Sequence, residues 1–277
     1  MNTRPLRDLI GARVLGVLGT YSTPEKMGSM AVSICGVEPL SDTRLRTIFP
    51  KGHQLKDGQW VTLHLDNRTG VSDYDADLKV YRLSFKGKVI ATSAFEVMID
   101  ALEYQVAYGM GVVKSYQAPD YAYPLDTRRT VALPTTPLSQ VPAMDDSEYD
   151  NKIGVLLTYA PSQPHTTVMA FLSSVEDDIF FITFPSTFKS LLLKRDSRCY
   201  FAIDSRATFT FEQAIEWNYS IIRGEVYTVP KPSMMFDEIR ERFVAKNPWE
   251  VGFFSHPEVE MYHLKAANVV CPRMALD

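Results

Sequence analysis

The sequence predicts a mainly β protein built from two similar barrels in tandem, and three observations predict it. Short segments of the first half recur in the second half in the same order. The apolar runs are mostly of strand length and are bounded by turn residues. A segment with three prolines separates the two halves. Alternating short strands exclude a doubly wound parallel sheet, because its strands are separated by helices.

The internal repeat is clearest at the start of each half, where residues 14–21 read VLGVLGTY and residues 152–159 read KIGVLLTY. Three further matches follow at offsets of 135 to 138 residues: Phe49-Pro50 with Phe184-Pro185, the strand 61–66 with 199–204, and Lys86-Gly87 with Arg223-Gly224. The offset changes only where loops can absorb insertions. We therefore interpret the two halves as a duplication.

The repeat predicts three regions. The first barrel domain covers residues 1–130, a proline-containing linker covers 131–149, and the second barrel domain covers 150–277. Pro134, Pro137 and Pro142 and an acidic pair at Asp145-Asp146 give the linker its composition.

Each half is expected to combine strands with one or two helices. In the second half, strands are predicted at 153–159, 166–172, 179–184, 198–204, 218–229 and 261–270. Helices are predicted at 186–195, with Ser186 or Thr187 as the N-cap, and at 232–245. The first half is predicted to end in a helix over 95–106, because Phe95, Met98, Leu102 and Val106 fall on one helical face.

The ordered features of the second half resemble the pyridoxamine-phosphate-oxidase-like, FMN-binding split-barrel superfamily. The resemblance rests on the segments GVLLTYAPSQPHTTVMAFL, DDIFFITFPSTFKSLLLKRDSRCYFAID, IIRGEVYTV and EMYHLKAANVV. It covers most of residues 150–272 and, more faintly, 12–110. It implies two split barrels that form a pseudo-dimer within one chain, with FMN in the clefts where the barrels meet. Each barrel then covers the apolar contact face of its twin.

The same resemblance assigns a phosphate-binding role to the turn before the predicted helix 186–195. Ser186, Thr187 and Lys189 would hold the FMN phosphate, because hydroxyls, backbone N–H groups and a lysine at a helix N-terminus attract anions. The other cofactor-binding residues that the resemblance implies are Thr167, Val168, Thr183 and Phe184. The alternative is an ordinary capped helix with a solvated lysine.

Two departures from the family pattern affect this site. Many members carry an arginine on the second strand, where residues 165–168 have none, so that His165 or Thr167 is the available substitute. In the first half, Gln54 falls where Lys189 falls in the second, with Lys51 or His53 left to compensate. The first half is alternatively a structural partner only.

Composition narrows the range of partners. The net charge is −4, which disfavours nucleic acid as a partner. Three widely spaced cysteines and five histidines without a metal-binding spacing predict neither a disulfide framework nor a zinc site. No apolar run of about 18 residues occurs, so we expect a cytoplasmic protein without a membrane span. Pairing of two chains into a homodimer is left open.

Three functional hypotheses follow. The first is an FMN-dependent oxidoreductase with an unknown small-molecule substrate, for which no catalytic acid or base can be named. The second is a non-catalytic module that binds FMN, haem or another flat cofactor. The third is a structural protein whose ancestral cofactor site has decayed. Residues Trp217, Tyr219, Trp249 and Tyr262 are candidates for stacking on a flat ring, and the alternative is that they pack in the barrel core.

Overall fold

The computed structural model describes residues 4–22, 28–67, 80–109, 111–203 and 220–270. The first half has a short helix, α1 (Leu6–Ile10), and the strands β1 (Val14–Tyr21), β2 (Met30–Pro39), β3 (Arg44–Ile48), β4 (Trp60–Asp66), β5 (Tyr81–Thr92), β6 (Glu96–Tyr108) and β7 (Gly111–Gln117). The second half has the strands β8 (Ile153–Thr158), β9 (His165–Ala170), β10 (Leu172–Ser173), β11 (Ile179–Thr183), β12 (Arg198–Ile203), β13 (Ser220–Val229) and β14 (Glu260–Val270). Its helices are α2 (Phe188–Arg195), α3 (Met234–Lys246) and α4 (Val251–Phe254).

The first half forms a closed six-stranded barrel. Its sheet has the order β3-β2-β1-β4-β5-β6-β7, and an additional pairing of β3 with β6 closes the ring. The core includes Leu63, Leu65, Leu83, Phe85 and Ile99, all fully buried. All described pairings in this sheet are antiparallel, as expected for short strands joined by tight connections.

The prediction of a helix over 95–106 is wrong, because this segment forms most of strand β6. Burial alternates at Val97, Ile99 and Ala101, then slips by one residue to Tyr104 and Val106. The slip lies opposite a register shift between Lys86 and Gly87 on β5. A bulge therefore interrupts the two-residue alternation of the strand. The helical spacing came from apolar residues on both faces of β6, since Met98 and Leu102 are half-buried and Val106 is buried.

The strands of the second half follow the same order as those of the first. Its sheet curls in the same way, but no single continuous strand closes it into a ring. Its order is β10-β11-β14-β13-β12-β8-β9. Its end strands β9 and β10 follow one another in the chain with only Phe171 between them. Phe171 is fully buried in the second core with Leu156, Phe181, Phe201 and Tyr262.

The two barrels pack face to face, as the predicted pseudo-dimer requires. Tyr21 and Tyr159, which match in the sequence repeat, stack with ring centroids 5.9 Å apart. The Tyr21 hydroxyl donates to the Ala160 carbonyl at 2.8 Å and accepts from the Ala160 N–H at 2.9 Å. Val17 and Val155, another matched pair, lie in the same buried cluster. The predicted fold of two split barrels is confirmed.

The turn between β8 and β9 fastens the second barrel to the first. Gln163 is fully buried. Its amide donates to the Val61 carbonyl at 2.6 Å, and its Oε1 accepts from the Tyr121 hydroxyl at 2.7 Å. The Tyr123 hydroxyl donates to the Gln163 carbonyl at 3.0 Å. These two tyrosines belong to the tyrosine-rich stretch 104–123, so this part of the stretch packs on the twin barrel.

Residues 131–149, expected to be a linker, run along the surface of the second barrel. The Thr136 N–H donates to the Thr228 carbonyl at 2.9 Å, and the Asp145 N–H donates to the Ser173 carbonyl at 2.9 Å. The Thr136 hydroxyl also lies 2.8 Å from Nδ1 of the buried His263. The segment is therefore docked through backbone and side-chain hydrogen bonds. The domain boundaries on either side of it stay a prediction.

Candidate cofactor cleft

A cleft of about 260 Å³ lies between the second barrel and strand β5 of the first. We call it the second-barrel cleft. Its lining consists of Arg82, Ile153, Val168, Met169, Ala170, Ile182, Thr183, Phe184, Thr187, Lys189, Trp249, Glu250, Phe253 and Val259. It sits beside the interruption between β9 and β10.

Thr187 forms the N-cap of α2, as the sequence predicts. Its hydroxyl accepts from the Ser190 N–H at 3.4 Å and donates to the Phe184 carbonyl at 2.9 Å. The Thr183 hydroxyl lies 2.9 Å from the Thr187 hydroxyl oxygen. The Thr187 side chain is therefore occupied in holding the turn, and the helix N-terminus that it fixes presents backbone N–H groups without helical partners.

Lys189 is half-buried in the cleft and has no hydrogen bond or ion pair with the described residues. Burial lowers the pKa of its ammonium group, while the charge of Glu250 acts in the opposite direction. A cation in a partly desolvated wall attracts an anion more strongly than one in bulk water, because the effective dielectric is lower.

Arg82 brings a second cation to the cleft from the opposite barrel. One of its terminal nitrogens donates to the Gly109 carbonyl, and its Nε is buried without a hydrogen-bond partner. Burial lowers its pKa, and the charge of Asp66 opposes this shift. β9 carries no arginine, and the arginine in the described lining of this cleft comes from β5 of the other half. The sequence reasoning missed Arg82, because no local pattern links β5 to a turn about a hundred residues later.

The segment after α3 covers one side of the cleft with Trp249, Glu250 and Phe253. The Phe253 ring lies 5.9 Å from that of Phe184, which in turn lies 4.9 Å from His256. Burial raises the pKa of Glu250 to about 7, against the lowering effects of a hydrogen bond from Trp249 and the charge of Lys189. The cleft therefore combines an apolar wall, two cations and one carboxyl group that titrates near neutrality.

Five of the seven predicted cofactor-binding residues line this cleft: Val168, Thr183, Phe184, Thr187 and Lys189. The other two, Thr167 and Ser186, are outside its lining. Ser186 is exposed, and the Thr167 hydroxyl lies 3.1 Å from Nε2 of His165. His165 packs between the rings of Tyr123 and Phe188. Burial lowers the pKa of His165 to about 3, and the charges of Lys86 and Lys189 lower it further.

The candidate stacking residues are separated in the fold. Trp249 lines the cleft, whereas Tyr262 is fully buried and its hydroxyl lies 2.8 Å from that of Ser190. Trp217 and Tyr219 lie outside the described residues.

A second cleft, of about 410 Å³, occupies the matching place on the first barrel. We call it the first-barrel cleft. Ile34 lines it opposite Val17 on β1, as Val168 lines the other cleft opposite Val155 on β8. Its cationic residues are Lys51 and Arg223, both exposed. His53, proposed as a substitute for the lysine, is instead bonded to the β5–β6 connection, with Nε2 at 2.8 Å from the Ser93 carbonyl.

Within the described ranges, the helices are too short or too polar to cross a membrane. The same ranges contain no cluster of three or more histidine, cysteine or acidic residues that could hold a metal ion.

No family model and no curated protein matches the chain. Solved structures do match. Atu2129 from Agrobacterium tumefaciens, a protein of unknown function, is 19% identical over 44% of this chain and 53% of its own, with a TM-score of 0.37. HutZ, a haem storage protein from Vibrio cholerae, is 12% identical over 45% of this chain and 90% of its own, with a TM-score of 0.37. An FAD-binding protein from Mesorhizobium loti is 13% identical over 43% of this chain and 82% of its own, with a TM-score of 0.35.

The order and closure of the strands, taken from the structure itself, give the fold. This chain is a split-barrel protein. The resemblance expected from the sequence is confirmed at the level of the fold, and the split-barrel arrangement occurs once in each half of the chain.

Proposed function

We propose that the second-barrel cleft binds FMN and that the protein uses it as an oxidoreductase acting on a small-molecule substrate in the cytoplasm. One observation carries the proposal. Lys189 and Arg82, contributed by different barrels, line the same cleft beside the N-terminus of α2. Two cations and a helix N-terminus form a site for a phosphate group.

The described residues fit the two parts of FMN. Lys189 and the unpartnered Nε of Arg82 provide donors and positive charge for the phosphate. Val168, Ile182 and Trp249 provide an apolar wall for a flat ring. The volume of about 260 Å³ is slightly below that of enclosed ligand pockets, which hold roughly 300–1,000 Å³. FMN is therefore expected to be only partly enclosed, with one side open to a substrate.

FMN, when bound, supplies the hydride or electron transfer. The residues of this chain bind and orient it: Lys189 and Arg82 hold the phosphate, and the apolar wall excludes water from one face of the ring. No side chain of the cleft needs to act as the redox group. The substrate and the electron donor are not specified by the cleft.

The proposal is tested by titrating FMN into the purified protein and into two matched lysine variants, following flavin absorbance and fluorescence. We expect Lys189→Ala to weaken FMN binding about tenfold or more, because a charge-assisted hydrogen bond contributes about 1.5–3 kcal/mol. Lys51→Ala, which removes the lysine of the first-barrel cleft, is the control and should leave the affinity within about twofold.

Equal affinity in wild type and Lys189→Ala would contradict the assignment of this cleft. Loss of affinity in Lys51→Ala alone would transfer the site to the first-barrel cleft. A Soret band on titration with haem, without any flavin binding, would favour the alternative of a haem-binding module.

A further inference from the structure

Glu250 is the one acidic residue in the described lining of the second-barrel cleft. When ionised, it carries the same negative charge as the phosphate of the proposed ligand. It lies in the short helical turn Pro248–Glu250 that connects α3 to α4. The charge that acts on it is that of Lys189 on α2, and Trp249 donates a hydrogen bond from its own turn. Arg82, on β5 of the first barrel, is the other charged residue of the same lining. An anion held by Lys189 and Arg82 shares a partly desolvated cleft with this carboxyl group.

Two negative charges in such a cleft repel each other strongly, because the effective dielectric is low. The repulsion disappears if one proton stays in the cleft. A protonated carboxyl group then donates a hydrogen bond to the anion instead of repelling it. A phosphate monoester is suited to this arrangement, because its second pKa is about 6 and the proton can be shared between the two groups.

We propose that Glu250 takes up one proton when a phosphate monoester binds, and that it thereby sets the specificity and the pH dependence of the cleft. The inference rests on the proposed function, since FMN is the phosphate monoester assigned to this site. It adds a specificity-determining residue that the phosphate-binding turn alone does not contain.

The direction of the pH effect follows from linkage. In the free protein, burial already raises the pKa of Glu250 to about 7, despite the lowering effect of Lys189. A bound phosphate raises it further, because it adds a negative charge nearby. Below pH 7 the proton is already present and binding does not depend on pH through this group. Above pH 7 the proton must come from solvent, so the affinity falls about tenfold per pH unit.

The test compares wild type with Glu250→Gln, which keeps the shape and the hydrogen-bonding capacity of the protonated side chain. FMN dissociation constants are measured from pH 5.5 to 9 for both proteins. Protonation of the FMN phosphate affects both proteins equally, so it cancels in the ratio of the two dissociation constants at each pH. We expect equal affinities near pH 6, and wild type to bind about tenfold more weakly than Glu250→Gln at pH 8. Riboflavin, which lacks the phosphate, is the control ligand and should show a constant ratio.

Parallel pH profiles in the two proteins would overturn the inference while leaving FMN binding intact. The same pH-dependent ratio with riboflavin would also overturn it, because Glu250 would then act on the ring. If Glu250→Gln does not fold, calorimetry of wild type at pH 8 in buffers of different ionisation enthalpy decides. Uptake of about one proton per FMN supports the inference, and no uptake contradicts it.

Absence of FMN binding would refute the proposed function and is followed by the same pH series with glycerol 3-phosphate, a phosphate monoester without a flavin. If wild type binds glycerol 3-phosphate with uptake of a proton, and Glu250→Gln binds it without this uptake, the inference holds without the flavin. Absence of binding by both ligands would overturn both.

Discussion

The two clefts occupy matching positions on the two barrels, yet their chemistry differs. In the second barrel, Phe184-Pro185 leads into a capped helix that places Lys189 in a partly buried wall. In the first, Phe49-Pro50 leads through a turn at Gly52, with a φ of 78°, into an extended loop without a helix. The cations of that cleft, Lys51 and Arg223, are exposed. The same strand framework therefore presents a partly buried positive site on one side and a solvated one on the other.

A second difference concerns what covers the clefts. In the first barrel only Ser93–Phe95 separate β5 from β6, whereas residues 230–259 of the second barrel separate β13 from β14 and carry α3 and α4. This insertion contributes Trp249, Glu250 and Phe253 to the second-barrel cleft. The insertion shields the second-barrel cleft from solvent, and fixed charges act more strongly in a shielded cleft. We therefore expect ligand binding in the second-barrel cleft rather than in the first-barrel cleft.

The largest expected effect is on the free energy of unfolding, and it tests a glycine that both barrels have at a β-bulge. Gly224 and Gly87 match in the repeat, and each lies at a register shift between paired strands. A Cβ at Gly224 would lie 2.0 Å from the Lys265 carbonyl oxygen, a backbone atom that cannot move aside. We expect Gly224→Ala to lower the free energy of unfolding by about 3 kcal/mol or more.

Gly87→Ala is the comparison. Its Cβ would lie 2.4 Å from Ile99 Cγ2 and 2.7 Å from Phe85 Cε1, both side-chain atoms, and 2.8 Å from the Asp100 carbonyl oxygen. We expect a smaller loss of about 1–3 kcal/mol. Urea unfolding measures both variants. Tolerance of alanine at both positions would show that the bulges are not tightly packed and would weaken the equivalence of the two barrels.

The next effect concerns the half-buried His165 near the second-barrel cleft. Its folded-state pKa of about 3 lies below the unfolded value of about 6.5. The unfolded chain therefore binds the extra proton first as the pH falls. The stabilising contribution is complete above pH 6.5 and decreases by about 1.4 kcal/mol per pH unit below it. Unfolding of His165→Gln between pH 7 and 4 should lack this part of the slope.

His53→Gln serves as the control for the loss of a histidine from the other half of the chain. A slope in His165→Gln as steep as that of wild type would mean that His165 is protonated in the folded protein.

The smallest effect isolates the helix cap, which the first-barrel cleft lacks. Thr187→Ala removes the hydroxyl that accepts from the Ser190 N–H and should lower stability by about 1 kcal/mol. Thr187→Ser, which restores the hydroxyl, should recover most of this loss. Thermal unfolding of the pair measures it, and equal losses in both variants would assign the effect to the lost methyl group instead.

The sequence predicted the parts of the molecule that depend on local signals. The repeated strand, the cap at Thr187 and the lysine two residues later are each visible within a few residues. β6 was missed because a bulge hides its alternation. Arg82 and Glu250 were missed because their place in the cleft depends on how two barrels and a long insertion pack. Such contacts join residues far apart in the chain, and periodicity carries no information about them.

The most direct test of the difference between the clefts is the number of flavins bound per chain. The purified protein is saturated with FMN, separated from free ligand by gel filtration, and assayed for flavin absorbance against protein concentration. A ratio of about one, reduced by Lys189→Ala and unchanged by Lys51→Ala, is the expected result. A ratio of about two would show that both clefts bind equally. A ratio of zero would contradict the assignment of FMN to this protein.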